Sequence, residues 1–136
     1  MFRRSDPIPA SLRESEMAAA LPARELRLLE RRGTVVPFGA GRSAMREGEV
    51  GRECMLVVSG SFAVERNGEG VAVLRPGMVM GELALMTNEP RNATVTAMEP
   101  SAVYAFNRRE FISLLSECPT FAEIVTADAQ SRSTSG

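Results

Sequence analysis

Gly81-Glu82-Leu83-Ala84-Leu85-Met86-Thr87-Asn88-Glu89-Pro90-Arg91-Asn92-Ala93-Thr94-Val95 is the one stretch that interrupts an otherwise steady alternation of short strands and turns. A glycine opens a brief apolar run, Leu83–Met86, too short and too helix-prone for a strand. A helical turn there leaves free backbone N–H groups at its head, which is an anion site. Gly81 lets the main chain approach an anion closely. Arg91 follows on the next element, where its planar fork can pair two oxygens of a phosphate. Glu82 cannot favour an anion by charge, but beside a phosphate it can accept a hydrogen bond from a hydroxyl such as a ribose 2′-OH. Together the three residues ask for a ligand with one phosphate and a neighbouring hydroxyl. A structural Arg91–Glu82 ion pair is the alternative that needs no ligand.

Outward from this stretch the pattern is β. Runs rich in Val, Phe, Met and Thr at 34–38, 42–46, 54–59, 61–66, 71–74, 92–97 and 102–107 alternate with turns at Gly39-Ala40-Gly41, Glu47-Gly48-Glu49, Asn67-Gly68 and Arg75-Pro76-Gly77. Asn67-Gly68 between alternating strands predicts a type I′ hairpin. Phe62 and Val64 point one way, Ala63 and Glu65 the other. About eight short strands at this rhythm predict a jelly-roll barrel.

Helices flank the barrel. Residues 11–32 read as helix in one or two pieces, with Ser11 and Glu14 as a capping box, Pro22 restarting it and Gly33 ending it. The face Arg24-Arg27-Arg31-Arg32, interleaved with Glu25 and Glu30, reads as solvated. After the strands, 108–117 predicts a helix, Pro119 interrupts it, and 120–129 predicts a last short one. The expected organisation is an unstructured lead-in over 1–10, a single domain over 11–130, and a flexible Ser/Thr/Gly-rich tail over 131–136.

Composition narrows the chemistry. The 136 residues are 44% hydrophobic and 24% charged, suited to one soluble globular domain. Sixteen Lys+Arg against seventeen Asp+Glu give a net charge of -1, so no global basic field draws nucleic acid. The chain contains no histidine, which removes His-ligated metals, Ser-His and Cys-His triads and imidazole proton shuttles. Neither a metal nor a cofactor is expected. Cys54 and Cys118 form no CxxC pair and suit a reducing compartment. Cys54 is expected in the core and Cys118, before Pro119, nearer the surface. Met78, Met80 and Met86 are expected to pack around the 81–95 stretch. With a polar N-terminus and no apolar run of membrane-spanning length, the expected location is cytoplasmic, without a membrane segment.

The stretch GELALMTNEPRNATV resembles the phosphate-binding cassette of the cyclic nucleotide-binding domain, F-G-E-[L/I]-A-L followed by R-x-A-[T/S]-V. The resemblance continues through Phe38-Gly39-Ala40-Gly41, Arg46-Glu47-Gly48-Glu49, Leu56–Gly60, Leu74-Arg75-Pro76-Gly77 and the helical Phe111–Leu115, covering roughly residues 34–125. It implies that Glu82 holds the ribose 2′-hydroxyl and Arg91 the cyclic phosphate. It also implies that the amides of Leu83 and Ala84 donate to phosphate oxygens beside Gly81. Ala93 and Thr94 match the R-x-A-[T/S] run, so Thr94 is expected to line the phosphate or base side. Met80 stands where the family usually has Phe. Asn92 stands where many relatives carry Ala, Ser or Thr, a position linked with the choice between adenine and guanine, and its side chain can both donate and accept.

The implied ligand is cAMP or cGMP, with cAMP favoured by the habits of bacterial members. The family closes its pocket with the C-terminal helix, and Arg132 is the residue here that would stack on the base. The resemblance is to the sensor half of catabolite activator-type regulators, cyclic nucleotide-gated channels and kinase regulatory subunits. The residues after Val95 are used by strands, a helix and a lid, so the output is expected in an unidentified effector protein or domain. Two other functions compete. An enzyme such as a cupin places several histidines on a metal and finds none here. A jelly-roll interaction module without ligand would show no thermal shift with either nucleotide. With no histidine to titrate, affinity for a cyclic nucleotide is expected to change less than about twofold between pH 6 and 8. Calorimetry across that range checks this, and a steep profile would contradict it.

Overall fold

The computed structural model describes residues 10–135. Three helices lead: α1 (Ala10–Arg13), α2 (Glu16–Ala20) and α3 (Ala23–Arg32). Among the described residues eight strands follow: β1 (Thr34–Phe38), β2 (Ser43–Met45), β3 (Glu53–Ser59), β4 (Phe62–Arg66), β5 (Glu69–Leu74), β6 (Val79–Met80), β7 (Thr94–Ala97) and β8 (Ser101–Asn107). Helix α4 (Glu82–Thr87) is inserted between β6 and β7, and α5 (Arg108–Glu117) and α6 (Pro119–Ser135) come last. The strands form two antiparallel four-stranded sheets, ordered β1-β8-β3-β6 and β2-β7-β4-β5. The expected architecture, mainly β with flanking helices, is the one observed.

Two apolar layers share the first sheet. On β3 and β8, residues of one parity (Cys54, Leu56, Val58, Tyr104, Phe106) pack with Leu29, Phe111, Leu114 and Phe121 of the helices. Residues of the other parity (Met55, Val57, Val103, Ala105) meet Phe62, Leu74 and Val95 of the second sheet. Burial on both faces explains why these two strands read as continuous apolar runs. In the β4–β5 hairpin both Asn67 (φ 54°) and Gly68 (φ 80°) are left-handed, as a type I′ turn requires.

Several local expectations are corrected. Ser11 lies within α1 and does not precede it; the cap is Ser15, whose Oγ accepts from Ala18 N at 3.1 Å. The capping box belongs to α5, where Asn107 Oδ1 accepts from Glu110 N and Glu110 Oε1 accepts from Asn107 N. Strand β6 went unread. Helix α6 continues through 131–135, where composition predicts a flexible tail, and the lead-in up to residue 9 lies outside the described residues. Cys118 is buried, not near the surface, and burial pushes its thiol pKa up. Met80 is buried, but Met78 and Met86 are exposed.

The solvated reading of the arginine face also misses Glu25, which is 1% exposed. Its carboxylate accepts from Thr120 N (3.3 Å) and Phe121 N (2.9 Å), the free amides at the head of α6. The preceding residue, Arg24, donates Nη2 to the Glu117 carbonyl (3.1 Å) at the end of α5. Adjacent residues of α3 thus cap both helices at the α5–α6 junction, with charges of the sense each helix dipole favours. Arg32 adds a forked pair to the Glu117 carboxylate at 2.6 and 3.0 Å.

Glu25→Ala leaves buried amides unsatisfied and is expected to cost about 1–3 kcal/mol. This reads as a lower urea midpoint at unchanged m-value; an unchanged midpoint would contradict the capping role. Hydrogen bonds from Arg32 and then Ser113 hold the Glu117 carboxyl at about 2, below its ordinary 4.5. A depressed folded pKa stabilises above the unfolded value, and that stabilisation is lost as pH falls through the folded one. The pair is exposed and its contribution small. The melting difference between the native protein and Glu117→Gln is expected to close between about pH 4.5 and 2. A difference constant with pH would contradict this.

Candidate functional site

The site is built where the first sheet passes into α4. Gly81, between β6 and α4, has φ 85°. A Cβ there would meet Arg91 Nη1 at 2.5 Å, Met45 Cε at 2.6 Å and the Glu53 carbonyl at 2.8 Å. Glycine is therefore required twice over, for its left-handed backbone and for the space it leaves to Arg91. Helix α4 begins at once with Glu82, whose side chain is fully buried. The helix ends at Asn88 (φ 60°), whose N–H returns to the Ala84 carbonyl. Arg108, the first residue of α5, donates Nη2 to the Leu85 carbonyl and to Asn88 Oδ1, tying the end of α4 to the start of α5.

Arg91 is 8% exposed and fixed at both ends. Its main chain bonds to the β2–β3 loop, N–H to the Glu49 carbonyl (2.8 Å) and carbonyl from Gly48 N (2.9 Å). Its guanidinium donates Nη1 to the Gly81 carbonyl (3.2 Å) and Nη2 to the Glu53 carbonyl (2.7 Å). Burial lowers its pKa, while Cys54, Glu53 and Glu82 act in the opposite sense. Arg91 thus donates to main-chain carbonyls of Gly81 and Glu53. A guanidinium carries five N–H donors, so two bonds to carbonyls orient it and leave donors for an anion.

Arg91 and the head of α4 line a cavity of about 390 Å³. Gly81, Glu82, Ala84, Arg91, Asn92 and Ala93 all line it, so six of the sequence-predicted site residues come together. Val64, Val71, Ala72 and Leu74 of the β4–β5 hairpin give the cavity an apolar lining. A register shift in that hairpin accounts for two consecutive residues, Val71 and Ala72, both lining the cavity. Thr94, expected to line the phosphate or base side, is not in the wall; on β7 its hydroxyl accepts from Glu47 N at 3.0 Å. Leu83 contributes the second residue of α4, and Arg132 falls within α6, but both side chains lie outside the described residues. Among the described residues no group of three His, Cys, Asp or Glu is placed to hold a metal.

Comparison with known proteins settles the family. The profile of the cyclic nucleotide-binding domain matches residues 35–118, from β1 to the end of α5. The chain belongs to the cyclic nucleotide-binding domain family. It is 37% identical over 101 residues to a cyclic nucleotide-gated potassium channel of Mesorhizobium japonicum, covering 74% of this chain and 27% of the channel. It is 38% identical over 74 residues to a cGMP-dependent protein kinase of Eimeria tenella, covering 54% of this chain and 7% of the kinase. The fold is similar to that of the catabolite activator protein of Thermus thermophilus, with a TM-score of 0.78 and 25% identity over 89% of this chain and 59% of that one. The chain spans 27% of the channel's length and 7% of the kinase's.

Three contributors to this cyclic nucleotide-binding domain escaped sequence reasoning. Gly51 packs beneath the site, and a Cβ there would lie 2.6 Å from Ala84 Cβ and 2.9 Å from Arg91 Nη1. The carbonyls of Glu49 and Glu53 are main-chain groups with no mark in the sequence. Arg66 lines the cavity and donates Nε to the Asn92 carbonyl at 3.1 Å. Its parity is the signal that could have found it, since it continues the inward-facing series Phe62, Val64. Gly51→Ala is expected to cost about 1–3 kcal/mol through overpacking against Ala84 and Arg91. Urea unfolding measures this, and an unchanged midpoint would show that the cassette has slack.

Proposed function

We propose that this domain is a sensor for a purine 3′,5′-cyclic nucleotide that converts binding into movement of its C-terminal helices. One observation carries the reading. A buried carboxylate, an anchored guanidinium and the head of a helix line the same cavity. The cyclic phosphate pairs with Arg91 and accepts from the amides of Leu83 and Ala84, and the ribose 2′-hydroxyl donates to Glu82. The apolar hairpin wall takes the base. The role is binding, not catalysis.

Coupling runs through Arg108. A ligand drawn onto the head of α4 repositions that helix, and the contacts of Arg108 with Leu85 and Asn88 pass the shift to α5 and α6. The size of the switch equals the ligand's differential affinity for the two arrangements. A kinase and a channel among the relatives support an effector domain or protein as the receiver of that movement. Among the described residues no helix is long and apolar enough to cross a membrane.

Thermal melting is the first test. A nucleotide at a hundred times its dissociation constant is expected to add about 2.7 kcal/mol of stability. Arg91→Ala removes charge-assisted bonds worth about 1.5–3 kcal/mol and is expected to weaken cAMP and cGMP alike by more than tenfold in calorimetry. Glu82→Ala is expected to hurt the ribonucleotide more than its 2′-deoxy form. No stabilisation by either nucleotide would instead favour an interaction module.

A further inference from the structure

A second cavity, of about 450 Å³, lies between the end of β1 and strand β2. These two are edge strands, one from each sheet, joined by the turn through Gly39 and Gly41. Pro37 and Phe38 give the cavity an apolar flank, and Arg42, Ser43 and Arg46 supply its polar side chains. The Phe38 ring is steadied from behind by Phe62, edge to face with centroids 5.8 Å apart. No residue lines both this cavity and the one at the cassette. Its size suits a small molecule.

The charge in this cavity is of one sign. Arg42 and Arg46 flank β2, at most about 13 Å apart along the strand. Among the described residues neither guanidinium has a hydrogen bond or an ion pair within the protein, and no carboxylate lines the cavity. Neighbouring acids are committed elsewhere. Glu47, next to Arg46, accepts from Asn67 N at 3.0 Å, and Glu99, in the turn after β7, accepts from Ser61 Oγ at 2.7 Å. Ser43 Oγ is shared with Thr96 Oγ1 at 3.1 Å. Two like charges that face one cavity repel, and an anion placed between them relieves that repulsion. What the cavity offers is two guanidinium forks, donors only, beside an apolar flank.

We infer that this corner of the barrel is a second anion site, and that it takes a small molecule carrying adjacent phosphoryl groups. Each fork pairs with two oxygens of one phosphoryl group, so two forks set along a strand suit a phosphoanhydride chain better than a single phosphate. Pro37 and Phe38 flank whatever the chain is joined to. A nucleoside triphosphate and an inorganic polyphosphate share this chemistry. The inference is independent of the cyclic-nucleotide reading, since Arg91 and the head of α4 take no part in it.

Calorimetry in low-salt buffer without divalent cations tests it, with ATP, inorganic tripolyphosphate and AMP as probes. The native chain is expected to bind ATP and tripolyphosphate at one site, and AMP, with its single phosphoryl group, at least about tenfold more weakly. Arg42→Ala and Arg46→Ala are each expected to weaken tripolyphosphate about tenfold, and the double substitution to abolish its binding. Both side chains are exposed, and neither substitution is expected to change the affinity for cAMP or cGMP. ATP binding more tightly than tripolyphosphate supports an organic ligand held against Phe38, and equal affinities support the inorganic chain. A native chain that binds neither overturns the inference, as does binding that the double substitution leaves intact, which would place the anion at Arg91. AMP binding as tightly as ATP also overturns it, and that comparison needs no variant.

Discussion

Arg91 is a cation lifted largely out of water and held in one orientation by main-chain carbonyls. Burial of this kind is costly unless the charge is well hydrogen-bonded. The surrounding structure can be read as the set of devices that meet that cost. Gly81 and Gly51 give up their side chains to make room for the guanidinium. The β2–β3 loop clamps the arginine backbone through Gly48 and Glu49. Glu53 and Gly81 lend carbonyls, and Glu53, Cys54 and Glu82 favour the charged form electrostatically.

The rest of the fold ties that local arrangement to the flanking helices. The first sheet is sandwiched between the second sheet and the helices, so β3 and β8 are buried on both faces. Against this frame α4 is short and bounded by two left-handed residues, Gly81 and Asn88. Its end is bonded to Arg108, and Arg108 opens α5. Helix α3 grips the next joint, capping the end of α5 with Arg24 and the start of α6 with Glu25. The N-terminal helix and the α5–α6 junction are therefore mechanically linked, and a shift at either one is paid in the same hydrogen bonds.

Much of this was legible in the chain. The strands announced themselves by period-2 alternation and turn residues, and the Asn67-Gly68 hairpin by its need for two positive φ angles. The cassette stood out because a glycine, a carboxylate and an arginine broke that rhythm together. What escaped notice did so for physical reasons. Strand β6 is only Val79–Met80, too short to show a period. Glu25 looked solvated because arginines surround it in sequence, and only the folded chain reveals the helix amides it serves. Thr94 matched the family pattern, yet its hydroxyl faces the β2–β3 loop. The composition of the last residues predicts a flexible tail, whereas α6 continues through them. Arg66 was readable by parity alone, a charge standing where Phe62 and Val64 set an inward face.

The most direct test of the account is a crystal structure of the domain grown with a 3′,5′-cyclic nucleotide. It is expected to show the phosphodiester oxygens within hydrogen-bond distance of the Arg91 guanidinium and of the Leu83 and Ala84 amides, with the ribose hydroxyl on Glu82. A nucleotide bound elsewhere, or one whose phosphate leaves Arg91 bonded only to the carbonyls of Gly81 and Glu53, would contradict it.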